Sequence, residues 1–386
     1  MISDTDALDA FCQRLDGASY ITVDTEFMRE KTYWPQLCLV QVAGPDEARV
    51  IDAPAEGMDL SPLIEILMDD SVLKVFHAAR QDLEIFYHMI GALPAPVFDT
   101  QVAAMVCGFG DQVGYETLIA KLTKASIDKS SRFTDWSVRP LSERQIAYAL
   151  SDVTHLRQAY EKLRRRLSGN GREGWLEEEM AVLTSPGTYD MDPDKGFRRI
   201  KARRATPRFL AVLREVAAWR ERDAQRRDIP RNRVLRDEAL VEIAHQRPDT
   251  VDALARTRGL GRRLAEGRDG ARLLEAVGKG LGVADVDCPA PDSKPVLPRG
   301  LGPVTDLLKV LLKMRCEEAG VARKLVASAD DLESIAAFGD DAGVPALGGW
   351  RREVFGTDAL RLRQGETALG VKGKRLSVVD RRGTSG

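Results

Sequence analysis

From Ser19 to Phe27 the chain alternates. Ile21 and Val23 fall on one side of an extended segment, and Thr22, Asp24 and Glu26 on the other. A period of two is that of a half-buried β-strand. Leu37–Ala43 and Ala48–Asp52 read as second and third strands, and the three predict an antiparallel meander. Leu60–Met68 has helical spacing, Val72–His77 is a fourth apolar run, and a helix follows over Arg80–Ile90. Thr100–Cys107, Tyr115–Leu122 and Ser142–Leu167 also carry apolar residues at helical intervals. Strands interleaved with flanking helices predict an α/β domain over residues 1–170, with a mixed central sheet.

Beyond Gly169 the strand pattern stops. Residues 171–203 read as a linker with a short helix at Trp175–Leu183. Two all-α bundles are expected, over 204–286 and 303–372, separated by a loop at 287–302 that holds Pro289, Pro291, Pro295 and Pro298. The segment 373–386, with Lys374, Arg381 and Arg382, is expected to be a disordered tail. The bundles resemble each other. Val234, Leu240, Ile243 and Ala244 recur as Val326, Leu332, Ile335 and Ala336, an offset of 92. Two such units are a duplicated small domain, because two repeats are too few for a solenoid.

Composition narrows the class. With 44% hydrophobic and 30% charged residues, the 386-residue chain has enough apolar material for several cores. No apolar run approaches the roughly 20 residues of a membrane span. The start, Met-Ile-Ser-Asp, lacks the basic and apolar parts of a signal peptide. The five cysteines and four histidines are scattered and no CxxC occurs, so neither a zinc site nor a disulfide framework is suggested, and a reducing, cytoplasmic setting is expected. The net charge of −2 conceals a strong asymmetry: between Phe197 and Arg236, 14 Lys or Arg face 4 Asp or Glu. An acidic part joined to a basic part suits a protein that handles polyanions.

The candidate chemistry lies in carboxylates. Asp24 and Glu26, two apart on a strand, share one face, and two adjacent anions call for a cation such as Mg²⁺ or Mn²⁺. Asp82 follows in the first turn of the Arg80–Ile90 helix. Tyr148 and Asp152, four apart, lie one helical turn from each other on a common face. Each motif alone fits a solvated strand end or helix surface. Asp99, at a helix start, reads as an N-cap.

Taken in order, Asp-x-Glu, Asp82 and Tyr-x-x-x-Asp resemble the signature of the DEDD exonuclease superfamily. The subgroup is the tyrosine one: its sister places a histidine five residues before the last acid, where this chain has Ala147, and His155 lies on the wrong side. Val23-Asp-Thr-Glu-Phe-Met-Arg29, His77-Ala-Ala-Arg-Gln-Asp-Leu83, Phe98-Asp-Thr-Gln101 and Asp135-Trp-Ser-Val-Arg-Pro-Leu141 carry the resemblance further, to the bacterial ribonuclease D family over nearly the whole chain. It implies a ribonuclease H-like exonuclease domain followed by two HRDC domains. It also implies a 3′→5′ exoribonuclease that releases nucleoside 5′-monophosphates from RNA 3′ ends, with transfer-RNA precursors as substrates. Asp24, Glu26, Asp82 and Asp152 would hold two divalent ions, Mg²⁺ or Mn²⁺, and Tyr148 would aim the attacking water. Phe27, Met28, His77, Arg132, Trp136 and Arg139 are candidates for substrate contact. A monomer without membrane association is expected. A DNA 3′→5′ exonuclease would use the same carboxylates, and a catalytically silent nucleic-acid scaffold would not need all five residues.

Overall fold

The computed structural model describes residues 1–128, 131, 134–202, 205–291 and 297–381. The N-terminal part contains α1 (Thr5–Arg14), β1 (Tyr20–Met28), β2 (Gln36–Ala43), β3 (Ala48–Asp52), α2 (Ser61–Met68), β4 (Leu73–Phe76), α3 (Arg80–Ile90), β5 (Val97–Asp99), α4 (Thr100–Val106), α5 (Tyr115–Thr123) and α6 (Glu143–Asn170). The strand order is β3-β2-β1-β4-β5. The meander β1-β2-β3 is antiparallel as expected, whereas β4 pairs with β1 and β5 with β4 in parallel. A mixed sheet therefore forms, with β1 at its centre. The three-residue β5 and helix α1 are additions to the elements read from the sequence.

The period of two in β1 sorts its side chains between two cores. Ile21 and Val23 pack with Leu8, Phe11, Leu63, Leu83 and Phe86 from the helices on one face. Across the sheet, α6 buries Ala149, Leu156 and Leu163 in clusters that also hold Leu39, Val50 and Val75. Thr22 joins β1 to that helix directly, donating from Oγ1 to the Val153 carbonyl at 2.8 Å. The start of α6 is fixed by a capping box, in which Ser142 and Gln145 satisfy each other's backbone N–H groups.

Helix α7 (Glu173–Leu183) leads out of this part. A first helical unit follows, with α8 (Pro207–Arg227), α9 (Arg231–Val234), α10 (Asp237–Gln246), α11 (Val251–Ala255), α12 (Arg262–Ala265) and α13 (Arg268–Gly282). A second contains α14 (Gly302–Ala319), α15 (Arg323–Val326), α16 (Ala329–Phe338), α17 (Gly349–Arg351) and α18 (Thr357–Arg363). Each unit has its own apolar core. The internal repeat is visible as geometry: α9 and α10 recur as α15 and α16 at the offset of 92, and α8 and α14 end at equivalent residues, Arg227 and Ala319. The caps that follow, Asp228 and Gly320, are both left-handed, at φ +46° and +61°.

The C-terminal expectation needs correction. Residues 373–381 are not a disordered tail, because β6 (Thr367–Lys372) and β7 (Arg375–Asp380) form a hairpin; the rest of that segment, with Arg382, lies outside the described residues. Its charges gather near the turn, at Lys372, Lys374 and Arg375, and Leu369 and Val378 pack against the second helical core.

Both helical units dock on the sheet-containing part through those caps. Between β1 and β2, the backbone N–H groups of Tyr33 and Trp34 each donate to Asp228 Oδ1 at 3.0 Å. At the other corner, the Arg172 guanidinium donates to the carbonyls of Ala319, Gly320 and Val106, so it joins α14 to α4. A Cβ on Gly108 would come within 2.5 Å of the Gly320 oxygen, which explains glycine there. Trp175 stacks on Trp350 at a centroid separation of 4.2 Å and completes this contact.

Candidate active site

A cleft of about 450 Å³ opens over the α6 side of β1, with Asp24, Glu26, His77, Tyr115, Tyr148 and Asp152 in its wall. Alternation puts Asp24 and Glu26 on that face. The β1–β2 register shifts between Glu26 and Phe27, so the bulge comes immediately after the second carboxylate. Asp152 arrives from α6. Carboxylate oxygens of Asp24, Glu26 and Asp152 lie within 4.8 Å of one another.

Asp82 stands apart from this trio. It enters from α3, on the opposite face, and its Oδ1 accepts a hydrogen bond from Thr25 Oγ1. Its charge is still felt in the cleft. Burial lifts the Asp24 carboxyl from 3.8 to about 7. Burial, then Asp24, Asp152 and Asp82, lift Glu26 from 4.5 to about 9. Burial and Asp24 hold Asp82 well above the ordinary carboxylate range. Three carboxylates that resist ionisation, with Asp152 beside Asp24 and Glu26, are a donor set that a hard divalent cation fits, because such a cation supplies the missing positive charge.

Tyr148 is one turn from Asp152, and burial followed by the charges of Asp152 and Glu26 pushes its phenol upward. Its ring stacks on Trp136, at a centroid separation of 6.1 Å. Trp136 is 2% exposed, so its place is under the tyrosine and not in a substrate channel. Arg139 is also committed elsewhere: its guanidinium grips both oxygens of Asp52 on β3 and the carbonyls of Cys38 and Trp136. Arg132 lies outside the described residues. Phe27 and Met28 are half-buried at the end of β1, and Met28 packs against the cluster that contains Trp136.

His77 lines the cleft from the β4–α3 turn. The Thr100 hydroxyl donates to the Phe76 carbonyl at 2.9 Å, so its oxygen faces His77 Nδ1 as an acceptor, at 3.0 Å. Nδ1 therefore carries the proton, and burial keeps the ring's pKa low. Asp99 is the expected N-cap, accepting from Gln101 and Val102. It also accepts from Ala78 and Ala79 at 3.0 and 2.8 Å, which holds Ala78 in a left-handed conformation at φ +58°. Asp99 thus sets the turn from which both His77 and Asp82 project.

Tyr115 was not apparent from the sequence. Its hydroxyl donates to the Asp152 carbonyl and, at 3.3 Å, to that of Ser151, which pins the turn of α6 that carries the third carboxylate. Its partner is 37 residues away, and a lone Tyr at a helix start carries no motif.

Residues 1–168 match the 3′-5′ exonuclease family model, and residues 209–277 match the HRDC domain. The curated ribonuclease D of Granulibacter bethesdensis is 52% identical over 380 residues, covering 98% of this chain and 96% of that protein. The chain belongs to the ribonuclease D family. The ribonuclease D of Gluconacetobacter diazotrophicus is likewise 52% identical, over 98% of this chain and 96% of its own length. Among solved structures, Escherichia coli ribonuclease D, described as an exoribonuclease involved in structured RNA processing, superposes with a TM-score of 0.80 at 30% identity, covering 95% of this chain and 98% of its own. Membership in the ribonuclease D family makes the chain a nuclease hydrolase with an N-terminal exonuclease domain and a helical HRDC region.

Proposed function

We propose that this 3′→5′ exoribonuclease removes nucleoside 5′-monophosphates from RNA 3′ ends, including those of transfer-RNA precursors, at the cleft between β1 and α6. The observation that carries this reading is the convergence of Asp24, Glu26 and Asp152, whose oxygens lie within 4.8 Å. With Asp82 as the fourth carboxylate, these residues would hold two divalent ions, Mg²⁺ or Mn²⁺. When bound, such ions activate water and neutralise charge at the phosphoryl and leaving oxygens.

The remaining chemistry belongs to the chain. Water adds to phosphorus, the bond to the 3′-oxygen breaks, and that oxygen leaves with a proton. Tyr148 keeps its own proton, because burial and the neighbouring carboxylates raise its pKa. It is bonded to Asp152, so its oxygen is left to accept from, and aim, the attacking water. Phe27 and Met28, just past Glu26, would meet the terminal nucleotide, with His77 on the opposite wall.

The division proposed is an exonuclease domain at 1–170, a linker at 171–203, HRDC domains at 204–286 and 303–372, and a linker at 287–302 between them. The matching helix boundaries of the two helical units support the second HRDC assignment. The protein would work as a monomer in the cytoplasm. Among the described residues no helix is long and apolar enough to cross a membrane, and all five cysteines are free.

The test compares 3′-tailed RNA with matched DNA in Mg²⁺ or Mn²⁺, using the purified protein and Asp24→Ala. Shortening of RNA from its 3′ end by the wild type alone is expected. If only DNA shortens, the RNA reading fails; if neither does, the nuclease reading fails.

A further inference from the structure

We propose that Gln41 is a positioning residue for the cation site: its buried amide donates to the Asp24 carboxylate and holds it toward the metal. This rests on the metal-dependent reading above.

Gln41 lies on β2, directly opposite Asp24 on β1 and Val50 on β3. Residues opposed across a ladder share one face of the sheet, with Cβ atoms about 4.5–5.5 Å apart. Gln41 therefore belongs to the α6 face, the face of the cleft. It is 0% exposed and lies beneath the cleft wall, not in it. Its neighbours on that face, Leu39 and Val50, join Ala149 of α6 in an apolar cluster. Of its two directly opposed residues only Asp24 is polar.

Among the described residues neither Nε2 nor Oε1 of Gln41 has a hydrogen-bond partner. This sets it apart from the other buried polar side chains on the mixed sheet. Thr22 donates to the Val153 carbonyl, Thr25 to Asp82, and Lys74 to the carbonyls of Asp69 and Ala95. Asp52 accepts from Arg139, and Asp99 from the amides of Ala78 and Ala79. A buried amide with both ends unpaired is destabilising, and leucine or methionine would fill the space without that cost. A local rule broken with no structural gain marks a functional position.

The neighbour specifies the function. The Asp24 carboxylate accepts from the Thr25 backbone N–H. A carboxylate offers about four acceptor sites, so sites remain for a cation and for one more donor. Carboxylates that ligate metals are themselves hydrogen-bonded, which fixes their orientation. Across the short gap of a ladder pair, rotation about its own side-chain bonds brings the Gln41 amide to Asp24. The amide is also the right donor because it is neutral. A lysine in its place would satisfy Asp24 by cancelling the charge that the cation needs.

The test is Gln41→Met in the full chain, which keeps the length of the side chain and removes both polar atoms. Gln41→Leu repeats it with another shape, so that misfit of one side chain is not read as a role of the amide. The melting temperature is measured in chelator, Mn²⁺ affinity by titration calorimetry, and steady-state kinetics on 3′-tailed RNA. In chelator the variants should melt at the wild-type temperature or up to about 4 °C higher. Mn²⁺ should bind about tenfold more weakly and kcat fall about 10–100-fold, the range for groups that orient metal ligands, with KM near wild type. Undiminished stability with lower activity is a combination that a merely structural role does not produce. In an Asp24→Asn background, Gln41→Met should cost little further Mn²⁺ affinity, because the two residues act through one interaction. Wild-type Mn²⁺ affinity and kcat in both variants overturn the proposal. A clear fall in melting temperature in chelator for both also overturns it, by showing that the amide supports the metal-free fold, and so do additive losses in the double variant. Any of these leaves the nuclease reading intact. Failure of the wild type to bind Mn²⁺ or shorten RNA would instead refute that reading, and this proposal with it.

Discussion

The Tyr33 hydroxyl donates a 2.7 Å hydrogen bond to Glu221 Oε2 on α8, and so fastens the loop that leaves β1 to the first helical unit. Glu221 is buried and is also flanked by Arg220 and Arg231, at 3.5 and 3.4 Å. A hydrogen bond to a buried charge contributes about 1.5–3 kcal/mol. Tyr33→Phe is therefore expected to lower the unfolding free energy by an amount of that order, read as a lower urea midpoint at unchanged slope. An unchanged midpoint would mean that the two arginines satisfy Glu221 without the tyrosine.

Asp24→Asn keeps the shape of the side chain and removes one anion from the trio. Loss of activity on tailed RNA by at least about 100-fold is expected, in line with removal of one group that stabilises charge in a transition state. Titration calorimetry with Mn²⁺ should show weaker binding in the same variant. Activity within tenfold of wild type would place the chemistry elsewhere.

Tyr148→Phe keeps the stack on Trp136 and loses the hydroxyl. A fall in kcat of roughly 10–100-fold is expected, at the lower end of effects from groups that position protons, because the phenol keeps its proton instead of acting as a free base. KM and Mn²⁺ affinity should stay near wild type. A large change in Mn²⁺ affinity would mean that the hydroxyl serves the cation site and not the water.

The crowded carboxylates set a pH dependence for the metal-free protein. Folding moves Asp24 from 3.8 to about 7 and Glu26 from 4.5 to about 9, so the folded chain holds protons that the unfolded chain releases. Stability is then fully present below the unfolded values and falls as pH rises through the folded ones. In chelator the melting temperature should decline between pH 5 and pH 9. Glu26→Gln should reduce that slope, and saturating Mn²⁺ should remove most of it. A flat profile in chelator would contradict the burial of these charges.

The elements that build the cleft were legible because they are periodic. Asp24 and Glu26 share a face by the period of two, and Tyr148 and Asp152 by the helical turn. β5 was not legible, because Val97–Asp99 is too short to show a period and exists as a strand only through its pairing with β4. The hairpin β6–β7 was obscured by its basic residues. Arg139 and Tyr115 show a different limit. Their partners, Asp52 and the Asp152 carbonyl, lie 87 and 37 residues away, and nothing local marks the connection. Contacts of that span separate a structural arginine from one free to meet a phosphate.

The paired caps Asp228 and Gly320 have one more consequence. A duplicated unit presents the same corner twice, yet the surfaces it meets, the Tyr33 loop and the α4–Arg172 corner, are unrelated. Interchangeability ended there. One copy keeps a carboxylate to receive two amides, and the other keeps only backbone, so that Arg172 and Gly108 can approach. Exchanging the two units along the chain would set Gly320 against the amides of Tyr33 and Trp34 and leave both without an acceptor. The order of the copies is thus written into two residues at the ends of α8 and α14.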